Sequence, residues 1–299
     1  MTFACGWKSY AGWKTTDGFR PIGPPPTNPK TITMDTAHLR LAVDAARAGA
    51  AELMSRRDHR VVKEKGPKDL VTDADLASQK AIRDMLVGAY PDYAFVGEEE
   101  GENDPPANVR AGDPDAPPCW VVDPLDGTIN FVHRLQSFAV SIGLYAAGKM
   151  RLGVIYDPTR DEMFTAIDGQ GARCNDQKMS ASGCTAIDES LIACSFRAGV
   201  TGDSPEVTRF VKVLERCRSL RRLGSCALNM CYVADGRLDG YWATNVAAWD
   251  SAAGTVIARE SGAILEGYGG AEFDDWNPKF CVSATPELQS LLTEQLSGT

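Results

Sequence analysis

The chain has 299 residues, of which 43% are hydrophobic and 24% charged, with a formal net charge of −9. That is apolar content for one large globular domain or two smaller ones, and the acidic balance disfavours general affinity for nucleic-acid phosphates, which is built from accumulated Lys and Arg. Nine cysteines without a CxxC pair fit no zinc site, while only three histidines, His38, His59 and His133, leave few bases for Ser-His or Cys-His chemistry.

Carboxylates must therefore carry most of any chemistry. The cysteines read as small buried hydrophobes in a reducing cytoplasm. No run of about 18 apolar residues marks a membrane span, and the N-terminus lacks the apolar core of a signal peptide. Both readings place the protein in the cytoplasm, away from a membrane.

Residues 1–33 contain "GPPPTNP", which sustains neither a helix nor a central strand, and read as an irregular or disordered extension. Met34, where the first periodic segment begins, is an alternative start of translation. After it, Leu39, Val43, Ala46, Ala50 and Leu53 recur at helical spacing. A second helix is expected over 74–89, stopped by Pro91, and "KGPKDLVTDAD" between them reads as a polar turn.

From Ser137 the pattern changes to strands, "FAVSIGLY", "RLGVIYD" and "EMFTAI", whose short connections suit antiparallel neighbours. "DESLIACSF" reads as a buried strand, followed by a helix with Ser204 as N-cap and Pro205 at its first position. Beyond it come an apolar segment "CALNMCYVADG", a strand "LDGYWA", a helix beginning near Asp250, the strands "AILEG" and "KFCVSA", and a closing helix "PELQSLLTEQL". Helices with an antiparallel sheet give way to strand–helix alternation, which predicts an N-terminal α+β domain over 34–188 and a C-terminal α/β domain over 189–299.

The stretch "WVVDPLDGTINF" concentrates chemistry. Pro124 biases Asp123 toward an extended conformation, so Asp123 is expected to end the strand "CWVV" with its side chain at the rim. Asp126-Gly127 is a turn pair, and the residues after it open a helix whose free N–H groups point outward. Two carboxylates then flank an anion site, or the segment is a plain Asp-Gly turn with Asp123 as a cap. Glu98 to Glu100 after "YAFVG" and Asp250 in "WD" have their own ordinary readings, as solvated charge and as a first-turn acid.

Together, "DLVTDAD", "GEE", "DPLDGTINF" and "WDSAAG" occur in the order and approximate spacing of the inositol monophosphatase family, and the chain resembles that family from about Thr36 to Leu292. The resemblance implies a layered αβαβα sandwich of α/β (α+β) class and a lithium-sensitive, Mg²⁺-dependent phosphomonoesterase. By position it implies that Glu98 serves a first metal ion, Asp123 bridges two, Leu125 lends its carbonyl to the first, and Asp126 and Asp250 hold the second. Two or three Mg²⁺ ions are implied. Asp75 and Thr128 match the pair that polarises the attacking water, with Glu98 beside them, and Lys65 matches a lysine preceding "DLVT". Gly127 and Thr128 match the phosphate-holding N–H groups, and Gly224 and Ser225 the substrate pocket. The ligand preference of Mg²⁺, hard oxygen donors, agrees with this set.

The implied substrate is inositol monophosphate or a related sugar or polyol phosphate, and the implied assembly a homodimer. Fructose 1,6-bisphosphate, histidinol phosphate and a nucleotide 3′-phosphate are the alternatives, as is a scaffold acting also through a protein or RNA partner. Departures bear on the alcohol: Ala243 stands seven residues before Asp250, where inositol-specific members place a Glu that binds hydroxyls, and Cys226 replaces the usual Ala. A methyl cannot accept those hydrogen bonds. Arg216, Arg218, Arg221 and Arg222 precede the pocket and read either as a solvated edge or as a fork, Arg221 among them, for a second anionic group. His133 is expected to be packed or hydrogen-bonded rather than catalytic.

Overall fold

A computed structural model describes residues 36–66, 69–99, 101, 104–196 and 199–297. The N-terminal extension and Met34 fall outside the described residues. Helix α1 (Thr36–Arg56) leads to a hairpin of β1 (Val62–Gly66) and β2 (Asp69–Thr72), then α2 (Asp73–Ala89), β3 (Ala94–Gly97), the one-turn α3 (Ala107–Arg110), β4 (Cys119–Asp126) and the short α4 (Thr128–Val132). A meander follows: β5 (Ala139–Ala146), β6 (Lys149–Asp157), β7 (Glu162–Ile167), β8 (Ala172–Cys174) and β9 (Gln177–Lys178). The remainder is β10 (Leu191–Ser195), α5 (Pro205–Leu214), β11 (Ser219–Arg221), α6 (Cys226–Ala234), β12 (Gly240–Ala243), α7 (Ala248–Glu260), β13 (Ile264–Gly267), β14 (Phe280–Ser283) and α8 (Pro286–Leu296).

Strands β3 to β9 form a seven-stranded sheet in sequence order, and a five-stranded sheet runs β11-β10-β12-β14-β13. Helices α1 and α2 pack on one face of the first sheet, while α6 and α7 fill the space between its other face and the second sheet. Helices α5 and α8 cover the outer face of the second sheet. The result is the αβαβα sandwich, with an apolar layer at each of its junctions: Leu53 and Trp120 in the first, Val121 and Ile257 in the second, Met230 and Tyr241 in the third, Trp242 and Leu292 in the fourth. None of the helices among the described residues is long and apolar enough to cross a membrane.

Two local expectations need correction, and one segment gains an assignment. The polar turn before "DAD" is a β-hairpin, in which Lys63 pairs Val71; its exposed, charged sequence carries no strand alternation. Strand β4 does not stop at Asp123 but continues to Asp126, with a register shift against β5 between those residues that absorbs Pro124. The apolar segment at 226 is the buried helix α6, apolar on all sides except for Asn229 because a sheet lies on each side of it.

Candidate metal centre

The acidic residues meet where strands end. Glu98 follows the carboxyl end of β3 and Asp123 to Asp126 close β4, its parallel neighbour. On the second sheet, β11 and β12 run parallel to β10, and Ser225 and Asp250 lie just past their carboxyl ends. Crevices at such ends are the usual ligand sites of α/β sheets. One ligand atom from each of Asp123, Asp126 and Asp250 falls within 4.8 Å of the others.

Each carboxylate is oriented by backbone N–H groups. Asp123 Oδ1 accepts from Leu125 N at 2.9 Å inside the β4 bulge. Asp126 reaches across to the start of α6, where it accepts from Cys226 N and Ala227 N, each at 3.0 Å, and from the Ser225 hydroxyl. Asp250 Oδ2 accepts from Ala247 N at 2.7 Å. The reading of Asp250 as a first-turn acid is thus correct, and the same carboxylate places an oxygen within 4.8 Å of those of Asp123 and Asp126.

Burial pushes the Asp126 carboxyl up to about 7, helped by Asp250 and opposed by the Ser225, Cys226 and Ala227 donors. The Asp250 carboxyl rises to about 6 through burial, against the Ala247 N–H. Asp123 is raised well above the carboxylate range by burial and then by Glu98, Asp126 and Asp250. Among the described residues, the groups that act most on these three are other carboxylates, backbone N–H groups and the Ser225 hydroxyl. Close carboxylates, Asp123 and Asp126 buried and Asp250 half-buried, are stabilised by a divalent ion, and their all-oxygen donor set fits Mg²⁺. Cys226, the nearest soft donor, is kept neutral: burial raises its thiol well above the usual range, and Asp250 and Asp126 raise it further.

Beside the cluster, Thr128 Oγ1 lies 3.4 Å from Asp75 Oδ1 and 3.1 Å from the Leu125 carbonyl. Asp75 is held in a capping box by Thr72, and burial pushes its carboxyl up to about 6. Gly127 adopts φ 94°, and a side-chain carbon there would stand 2.9 Å from the Ser137 carbonyl, so the tight turn between Asp126 and Thr128 needs glycine. Gly224, at φ 83°, opens the loop into α6.

The structure therefore links Asp75, Glu98, Asp123, Leu125, Asp126, Gly127, Thr128, Ser225 and Asp250 in one cluster of contacts. Others are less central. Lys65 belongs to β1 by its backbone, and its side chain lies outside the described residues. Arg216, Arg218, Arg221 and Arg222 are exposed, with Arg222 over the Phe196 ring at 4.3 Å. His133, expected to be packed, is exposed at the end of α4.

Sequence reasoning missed two supports. Ser78 donates to the Pro124 carbonyl at 2.9 Å, tying α2 to the β4 bulge. Gln79 clasps Glu99 through both backbone groups, at 2.6 and 2.9 Å, and so fixes the segment carrying Glu98. Both are polar residues on the buried face of α2, the signal that could have found them.

The model of the inositol monophosphatase family matches residues 35–298. Inositol monophosphatase 1 of Solanum lycopersicum is 39% identical over 268 residues, 86% of this chain and 94% of that protein. Nus factor SuhB of Pasteurella multocida is 38% identical over 236 residues, 78% of this chain and 85% of that protein. Among solved structures, the extragenic suppressor protein suhB from Bartonella henselae superposes with a TM-score of 0.79 at 33% identity, over 88% of this chain and 99% of that one. An inositol monophosphatase from Anabaena (Nostoc) gives 0.75 at 29% identity, over 87% and 95%. On sequence and on fold, the chain belongs to the inositol monophosphatase family.

Proposed function

We propose that this protein is a Mg²⁺-dependent phosphomonoesterase acting on inositol monophosphate or a related sugar or polyol phosphate. The observation that carries the reading is the meeting of Asp123, Asp126 and Asp250 within 4.8 Å, with burial raising all three carboxyl groups and neighbouring carboxylates raising Asp123 and Asp126 further. Held by Glu98, Asp123, the Leu125 carbonyl, Asp126 and Asp250, two or three Mg²⁺ ions would supply the charge that lowers the pKa of a water and balances the leaving alkoxide.

The chain's own groups do the rest. Thr128 Oγ1 accepts a proton from the attacking water and passes its own to Asp75, the carboxylate it faces. The N–H groups of Gly127 and Thr128 hold the phosphate. Gly224 and Ser225 border the alcohol side, and the fully buried methyl of Ala243 offers it no acceptor. That absence supports breadth toward polyols over strict inositol recognition. Bisphosphate, histidinol phosphate and nucleotide 3′-phosphate substrates rank behind. A division of the chain near residue 188 belongs to the same proposal, with Asp250 and Ser225 contributed by the second part, as does a homodimer, which sedimentation would test.

Phosphate release from a panel of esters with Mg²⁺, with and without Li⁺, tests the reading. Turnover of several polyol phosphates with inhibition by Li⁺ is expected, and release from none of the panel overturns it. A second reading, a scaffold that also binds a macromolecule, draws support from the relative named Nus factor SuhB and from the exposed Arg216, Arg218, Arg221 and Arg222. Recovery of a stoichiometric protein or RNA partner that is lost on replacing these arginines would favour it.

A further inference from the structure

Asn130, in α4, is buried to 8% exposure. Its amide nitrogen donates to two carbonyls from distant parts of the chain, Ser137 at 2.7 Å and Leu223 at 2.8 Å. The first bond closes the loop that follows α4. The second crosses to the loop that leads into α6.

Both acceptors adjoin site groups. The Ser137 carbonyl also walls the Gly127 turn, where a side-chain carbon would meet it at 2.9 Å. Gly224 follows Leu223 and lies against the Asn130 amide so closely that a Cβ on it would stand 2.8 Å from Nδ2. One residue on, the Ser225 hydroxyl and the N–H groups of Cys226 and Ala227 hold the Asp126 carboxylate. A continuous path runs from the amide of Asn130, through a loop with no side chain at its contact point, to a carboxylate of the acidic cluster.

We infer that Asn130 is a positioning residue: its amide locks the Leu223–Ser225 loop against the Gly127 turn and thereby fixes how Asp126 presents its oxygens to metal. An amide can give two donated bonds to two carbonyls; a carboxylate of the same size can give none. Outer groups that orient a metal ligand typically contribute about tenfold or more to metal affinity. The inference rests on the metal-dependent reading proposed above.

The test is calorimetric titration of the ester-free protein with Mg²⁺, read beside kcat at saturating metal and thermal stability. Asn130→Asp should weaken Mg²⁺ binding about tenfold or more, while kcat at saturating Mg²⁺ stays close to wild type. Gly224→Ala, which forces a carbon against the amide, should weaken binding likewise. Combined with Asn130→Ala, Gly224→Ala should cost less than in the parent, because the group it strikes is gone. Wild-type affinity in Asn130→Asp overturns the inference even if its melting temperature falls, since that is the mark of a merely structural role. Should Asn130→Asp fail to fold, wild-type affinity in Gly224→Ala overturns it equally. A wild-type protein that binds Mg²⁺ but hydrolyses no ester overturns the phosphatase reading alone, and the titrations still decide this one. A wild-type protein that binds no divalent ion overturns both.

Discussion

Gly153 of β6 lies directly against Ala253 of α7, so close that a side-chain carbon on the glycine would stand 3.0 Å from the alanine Cα. Its cross-strand partner Gly143 meets Ala252 in the same way. These contacts let α7 sink onto the sheet, and that depth carries Asp250 to Asp123 on β4. Gly153→Ala should lift the helix at a cost of about 1–3 kcal/mol in urea unfolding, and the Mg²⁺ concentration for half-maximal activity should rise with it. An unchanged unfolding midpoint would disconnect the helix from the site.

Thr128 makes a prediction that separates chemistry from packing. Thr128→Ala removes the hydroxyl that faces Asp75, and kcat should fall by about 10²-fold or more. Thr128→Ser keeps the hydroxyl and should retain most of the rate. Steady-state kinetics on both variants checks this, and equal losses in the two would assign the threonine to packing.

Metal removal should make stability depend on pH in a defined direction. The Asp126 and Asp250 carboxyls stand at about 7 and about 6 in the folded chain against a usual 3.8. A raised folded value means the native state takes up protons that the unfolded chain does not, so this contribution is complete below the unfolded value and is lost as pH rises through 6 and 7. In chelator, the melting temperature should therefore fall between about pH 4 and pH 7, from the unfolded carboxyl value to the raised folded ones. Saturating Mg²⁺ should restore it at the upper end. Scanning calorimetry with and without metal checks this, and a melting temperature that stays flat or rises over that window in chelator would contradict the strain.

Much of this was legible in the sequence. Periodicity placed α1, α2, α5 and α8, and the ordered motifs supplied the residues that the structure links in one cluster of contacts. Asp123 and Asp126 were readable because Pro124 restricts the backbone between them and Gly127 permits the tight turn behind them. Less readable was anything set by tertiary packing. Helix α6 carries no amphipathic stripe, because both of its sides are covered. Asn130, Ser78 and Gln79 bond to backbone carbonyls and N–H groups; the polar pair on the buried face of α2 was a signal, but its partners were not legible. Gly143 and Gly153 look like ordinary strand glycines until α7 lies across them.

Ala243 bears on breadth of specificity. With no acceptor at this buried position, kcat/KM for inositol 1-phosphate and for other small polyol monophosphates should agree within about tenfold, since discrimination requires polar groups left unpaired by the wrong substrate. Competition assays between paired esters measure the ratio. A preference of several orders of magnitude for one polyol would point to a recognition group other than the residue at 243.

The claim at the centre is that the buried acids form a divalent-metal site that drives ester hydrolysis. Its most direct test is phosphate release from inositol 1-phosphate across a Mg²⁺ titration, for the wild type and Asp123→Asn side by side. The account predicts a wild-type rate that climbs with Mg²⁺ from the chelator baseline, and an Asp123→Asn rate that stays at that baseline in excess metal. Full turnover by Asp123→Asn, or by the wild type in chelator, would contradict it.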